Sequence, residues 1–505
     1  MPLWYWYMLD GFWAWMPTAN MNSTPQRFSS HERIGLSVAV CIIVAFGANL
    51  EKRTALRRTP MTDLGVFACA AGAVVHGENI YNVCEWHEWH YQYPPALAIL
   101  FVPLSQPIPI APPTLEKGEH RTEANTPWGY DTDRRHRFYG LHQENLRFFW
   151  IVAGWYVISV MLVFFSSHAL ACALEGVSLR TPLPTEPQSR QEWWIRRVIP
   201  IIVCIGSIGT DLSRGQVDIL MLAAVAFSIY LATRGREFGS GLWFSIPTTI
   251  KLFPTLIFMY PVWRGKWRML AGVAAGLFLM LALLPAVALG PKRSLELYRT
   301  WIEVLAKPGL GTGSDTSRAK ELTALNGTDN QSLLAFIHNW RHIELPRNAR
   351  PPQAAPSDRR AVYAVGVLML VGIILVSGFR RGDSPRELCI FTGLLIGTAL
   401  VISPVTHNYY YLLALPLVAG LLDRNLKAPA SKGIWNIPVI LWIFMVVDFS
   451  ARLPNIGNHL RDWGAPLLSL AAMMWVGAAA MLKGSMAIRA TMLPSNPSGT
   501  AAQVS

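Results

Sequence analysis

Charge is scarce in this chain. Asp, Glu, Lys and Arg make up 15% of its 505 residues, against 52% hydrophobic ones. Acid is the scarcer sign, 31 residues against 44 basic, and no stretch has the composition of a separate soluble domain. The six cysteines lie mostly inside apolar runs without C-x-x-C spacing. That excludes a metal framework of this kind and reads as small core residues. Cys69 and Cys84 share one loop, and a bridge between them outside the cytoplasm stays open. A Gly-rich phosphate loop is missing, and Asp131-Thr-Asp133 reads as a polar turn rather than a D-x-D metal motif. Residues 1–32, aromatic first and polar later, lack the basic start and small-residue cleavage site of a signal peptide and are expected to be an interfacial segment.

Long apolar runs are what the chain does have. They fall at about 33–50, 148–173, 197–210, 216–233, 268–290, 360–379, 386–403, 407–422, 434–451 and 464–482. An all-α polytopic membrane protein with about ten spanning helices follows. Lys and Arg cluster in the short loops 180–197, 234–236, 264–268, 380–386 and 424–432, so the formal charge of +13 reads as positive-inside placement against membrane lipids. Nucleic acid is not an expected partner. Two further runs, 93–108 and 241–262, are interrupted by proline. With the chain starting inside, all the basic loops fall on the cytoplasmic side only if neither run crosses, so both are expected to be re-entrant hairpins. The expected layout is an integral-membrane domain over 33–482 with outer loops 51–147 and 291–359, and a polar cytoplasmic tail over 483–505.

On that outer side polar residues gather. Asp63 heads an Ala-rich helix, and a carboxylate at a bilayer edge is costly to keep from water. Tyr81 and Tyr93-Pro94-Pro95 follow in the same loop. Gln216 and Asp218 stand between two spans, and Lys251 stands at the apex of the second hairpin. Asn330-Gln331-Ser332 lies in the outer loop, and His407 precedes Asn408-Tyr409-Tyr410-Tyr411. Each has a plainer reading. Lys251 can snorkel, His407 can cap a helix, and Gln216 and Asn330 can satisfy turn backbone. Read as unpaired in an apolar run, Lys251 costs about 2.5–3.5 kcal/mol, which asks for an anion.

In order, these blocks resemble glycosyltransferase family 87 of the GT-C superfamily, the polyprenyl-phosphate-mannose-dependent mannosyltransferases. The resemblance runs from about 33 to 482 and rests on Asp63, Gly77 and Tyr81, Tyr93-Pro94-Pro95, Gly215-Gln216-Val217, Lys251-Leu-Phe-Pro254, Asn330-Gln331-Ser332-Leu333 and Ser403-Pro404-Val405. The chain departs from the family pattern at Asp218, at His407 with Tyr409, and in the insertion 111–147. The resemblance implies a cofactor- and metal-free enzyme of the cell membrane. It would transfer a hexose, mannose in the family, from a polyprenyl-phosphate sugar to a lipid or glycan acceptor at the extracytoplasmic face, with inversion and the C-terminus cytoplasmic. Asp63 is then the general base. Lys251, His407, Arg57 and Arg58 are phosphate contacts, and Tyr81, Tyr93, Gln216, Asn330, Gln331 and Tyr409 are substrate contacts. A transporter or flippase and a non-catalytic assembly subunit are the rival classes. The absence of paired inverted halves argues against transport.

Overall fold

The structure, a computed structural model, describes residues 29–54, 62–83, 89–105, 146–310, 312, 325–327, 329–378, 383–427, 436–453 and 455–492. Expectations placed on Arg57, Arg58, Cys84, Asp131, Asp133, most of the 111–147 insertion and residues 1–28 lie outside them. Among the described residues the regular structure is helical, with one isolated antiparallel bridge between Asn330 and His407.

Helix α1 (Ser30–Arg53) starts in a capping box made by Ser29 and Glu32. Helix α2 (Asp63–His76) puts Asp63 in its first turn, where the helix dipole favours a carboxylate, and stops at Gly77 with φ 76°. After the short α3 (Pro95–Leu100) come α4 (Leu146–Glu175), α5 (Pro187–Val203), α6 (Ile205–Arg214), α7 (Asp218–Thr233), α8 (Glu237–Ile250) and α9 (Trp267–Phe278). The loop 291–359 holds α10 (Leu333–Arg341). The C-terminal half is α11 (Pro356–Ser377), α12 (Pro385–Ile402), α13 (Leu415–Lys427), α14 (Ile437–Ser450), α15 (Ile456–Asp462) and α16 (Ala465–Met492). Helix α12, buried along nearly its whole length, is the centre of the core.

Six helices among the described residues are long and apolar enough to cross a membrane, at 32–53, 149–175, 267–289, 356–377, 385–402 and 465–482. They coincide with expected spans. The other expected spans are shorter or broken. The run at 197–210 divides at Cys204 into α5 and α6, and Asp448 of α14 holds the new helix start by accepting the Ser207 N–H at 2.7 Å. The run at 407–422 opens as a 3₁₀ turn before α13. Helix α16 continues to Met492, into the segment expected to be tail.

The hairpin expected at 241–262 is visible in the packing. Helices α8 and α9 touch through small residues: a Cβ on Gly272 would strike the carbonyl of Phe238, one on Gly241 that of Met269, and one on Gly276 the Ser245 hydroxyl. Residue numbers rise together along the seam, so the helices run parallel, and the chain between them must return. Gly272-x-x-x-Gly276 lets the backbones approach. At the base of the hairpin Lys266 meets Glu237 at 2.7 Å, and at the tip the helix gives way to extended backbone at Lys251.

The basic loops meet at one end. Asp423 joins Arg196, Arg386 (2.8 Å) and Lys427 (3.2 Å); Arg197 pairs with Glu175 at 2.8 Å, Arg264 with Asp383 at 2.7 Å, and Arg190 with Glu32 at 2.5 Å. Asp63, Lys251 and His407 belong to the opposite end.

Candidate functional site

The turn between α6 and α7 is the seat of the site. Gly215 adopts φ 65°, and a Cβ there would lie 2.9 Å from the Cβ of Leu64. The head of α2 therefore rests directly on this turn, which brings Asp63 into electrostatic reach of Arg214, Tyr409 and Tyr410. Asp63 is half-buried, and its Oδ2 has no hydrogen-bond partner among the described residues.

Lys251 enters beneath it. The expectation of an unpaired ammonium is corrected here: Nζ lies 2.8 and 2.7 Å from the two carboxylate oxygens of the fully buried Asp218. It also stands over the rings of Tyr410 at 4.0 Å, Tyr409 at 5.5 Å and Tyr93 at 5.6 Å. The anion at the hairpin tip belongs to the protein. Asp218, one of the departures from the family pattern, supplies it.

The Asn330 block pins the His407 turn. The Asn330 side chain donates to the carbonyl of Pro404 at 3.1 Å and accepts from the Thr406 and Ser332 N–H groups, each at 3.1 Å. The Gln331 N–H donates to the Thr406 carbonyl at 2.6 Å, while Ser332 caps α10 through the Ala335 N–H. Gln216 spends its amide N–H on the Tyr409 hydroxyl at 3.0 Å, and the Tyr409 ring stacks on His407 at 5.3 Å. Tyr81 is fully buried and donates to the carbonyl of Tyr93 at 3.0 Å, which places it behind the loop corner. So Asp63, Lys251, Tyr93, Gln216, His407 and Tyr409 come together, with Asn330 and Gln331 bracing them from the loop 291–359.

A cleft of about 530 Å³ opens beside this cluster, between the apolar Ile42 and Phe46 of α1 and the wall formed by Arg214, His407 and Tyr409. Arg53, Arg452 and Arg461 also line it. Asp329 is shared by Arg214 at 3.3 Å and Arg461 at 3.4 Å. His407 Nδ1 has no hydrogen-bond partner among the described residues.

The model of glycosyltransferase family 87 matches residues 91–404, well over half of the chain. The chain belongs to family 87. It is a polytopic membrane glycosyltransferase of the GT-C type. The family 87 chain is also similar to the crystal structure of ArnT from Cupriavidus metallidurans bound to undecaprenyl phosphate. The identity is 12% and the TM-score 0.36, covering 92% of this chain and 79% of that one. No curated protein matches it.

Reading the family 87 sequence alone gave no site role to Arg214, Arg461 or Asp211. Arg214 stands in the same short turn as Gln216 and was open to notice as its one cation. Asp211, fully buried in electrostatic contact with Asp218 and Lys251, carries no local signal of that pairing. Among the described residues no group of three or more His, Cys, Asp or Glu side chains is arranged to hold a metal ion.

Proposed function

We propose that this enzyme transfers a hexose, mannose in the reading the family favours, from a polyprenyl-phosphate sugar to a lipid or glycan acceptor at the extracytoplasmic face of the cell membrane. The observation that carries the proposal is the unengaged Oδ2 of Asp63 at the head of α2, beside the Arg214 wall of a cleft whose other wall is apolar. A polyprenyl chain suits the apolar wall, and its phosphate suits the arginines.

In the proposed step the acceptor hydroxyl oxygen attacks the anomeric carbon while its proton passes to Asp63. The bond from that carbon to the phosphate oxygen breaks, and its electron pair leaves with the phosphate. A single displacement inverts the anomeric centre. Charge gathers on the leaving oxygen, where Arg214 and the open Nδ1 of His407 are the proposed contacts, with Arg57 and Arg58 retained as further candidates. Lys251, committed to Asp218, acts one step back by holding the floor of the site. Tyr93 and Tyr409 are offered to the sugar, with Gln216 positioning Tyr409; Tyr81, Asn330 and Gln331 hold the walls.

Arg214→Gln is expected to reduce kcat/KM for the donor by roughly 10- to 150-fold, the worth of about 1.5–3 kcal/mol for a hydrogen bond to a charged group. Radiolabel transfer from polyprenyl-phosphate mannose to membrane lipids measures it. An Arg214→Gln enzyme with wild-type donor kinetics would remove Arg214 from the phosphate site.

A further inference from the structure

Asp329 holds a position that the proposed step does not use. It immediately precedes the Asn330–His407 bridge, lines the cleft with Arg214, His407 and Arg461, and keeps 48% of its side chain exposed. Its backbone lies within hydrogen-bonding reach of the His407 ring. Its carboxylate stands 3.3 Å from Arg214 at the end of α6 and 3.4 Å from Arg461 of α15. Among the described residues no other acid comes within ion-pairing distance of either guanidinium. These contacts differ from the pairs that fasten the fold. Arg264–Asp383 and Lys251–Asp218 close to 2.7 Å with both partners buried, the length of a committed charge-assisted bond. Asp329 stands further off and open to water, where an ion pair holds little. An ordinary surface pair joins two side chains. This carboxylate spans two guanidinium groups from separate elements, on the wall proposed for the lipid phosphate.

We infer that Asp329 paces turnover by competing with the lipid phosphate for Arg214 and Arg461: its carboxylate yields the two guanidinium groups to the donor and reclaims them as the product leaves. The inference rests on the phosphate reading of Arg214 above. Charge supplies the reason. The donor's phosphate is a diester with one negative charge, matched by the single charge of a carboxylate. Bond breaking leaves a phosphate monoester, which carries about −1.5 to −2 at pH 7. The arginines therefore grip the spent lipid harder than the fresh one, and product release limits the turnover of many enzymes. A carboxylate tethered beside the seat lowers the apparent affinity of both lipids by the fraction of time it holds the arginines. The benefit falls on the product, whose release is the slow one. Guanidinium forks take carboxylate and phosphate in the same bidentate geometry, so the exchange needs no rearrangement of the arginines.

The experiment titrates the full-length protein in detergent with farnesyl phosphate and, as the uncharged control, with farnesol. Asp329→Asn is expected to bind farnesyl phosphate about three- to ten-fold more tightly than wild type, the worth of two exposed ion pairs, with farnesol binding unchanged. Asp329→Glu, which keeps the charge, should stay within about two-fold of wild type. Asp462→Asn removes the same charge at the end of α15, where it pairs with Arg347, and frees neither Arg214 nor Arg461. It too should stay within about two-fold. In the transfer assay Asp329→Asn should keep the wild-type single-turnover rate and lose about three- to ten-fold in steady-state kcat, a split that a merely structural role does not produce. Wild-type or weaker affinity for farnesyl phosphate in Asp329→Asn would overturn the inference, as would an equal gain in Asp462→Asn, lost farnesol binding or an unchanged steady-state kcat. Failure of the phosphate reading shows separately, in an Arg214→Gln variant that binds farnesyl phosphate as wild type does, and the inference then falls with it.

Discussion

Asp63→Asn is expected to slow sugar transfer by about 10²–10⁴-fold while the protein folds and binds donor as before. The asparagine keeps the shape of the side chain at the first turn of α2, and no hydrogen bond to Oδ2 is lost, because none is made by a described residue. What disappears is the capacity to accept a proton. The decisive comparison is single-turnover transfer from polyprenyl-phosphate mannose by wild type and variant, alongside donor binding. A wild-type rate in the variant would dismiss Asp63 as the base and turn attention to Asp211, the other acidic side chain next to Asp218.

Lys251→Met is expected to destabilise the protein by about 3–5 kcal/mol, the usual result of removing one partner from a buried ion pair. Read from the sequence, this change looks harmless, since it takes a charge out of an apolar run. With Asp218 fully buried and both of its oxygens on the ammonium, the same change strands a carboxylate inside the protein. Lys251→Met combined with Asp218→Leu removes both charges and should recover most of the loss. Thermal unfolding in detergent, followed by the fraction remaining monodisperse, distinguishes the cases. A single variant as stable as wild type would mean that the pair contributes nothing to holding the hairpin tip.

The contrast shows where the sequence stops being readable. The spans at 33–50 and 148–173 were legible because an uninterrupted apolar run has only one way to satisfy its backbone in lipid. The hairpin at 241–262 was legible because loop charge counts the crossings, and the parallel seam of α8 and α9 agrees with that count. Asp63 was legible as a carboxylate at a helix start. The partner of Lys251 was not, because Asp218 lies 33 positions away and only tertiary packing joins them. The division at Cys204 escaped for the same reason: its helix start is capped by Asp448, 241 positions on from Ser207. For Asn330 the sequence left substrate contact and turn backbone both open, and its carboxamide is engaged with the Pro404–Thr406 turn. A polar side chain in a loop looks alike in sequence whether it faces a ligand or its own backbone.

The glycine seam between α8 and α9 also decides how the two ends of the molecule are linked. The hairpin works as a peg driven in from one end of the molecule whose point holds Lys251 against Asp218 in the Asp63–His407 cluster. Its shaft, the 14 residues of α8, is about 21 Å long at ~1.5 Å per residue. Backbones clamped this closely have no slack for sliding, so the height of Lys251 is set where the peg is fastened, at Glu237–Lys266 and Arg264–Asp383. The position of Lys251 beside Asp218 is therefore tied to ion pairs at the other end of the hairpin.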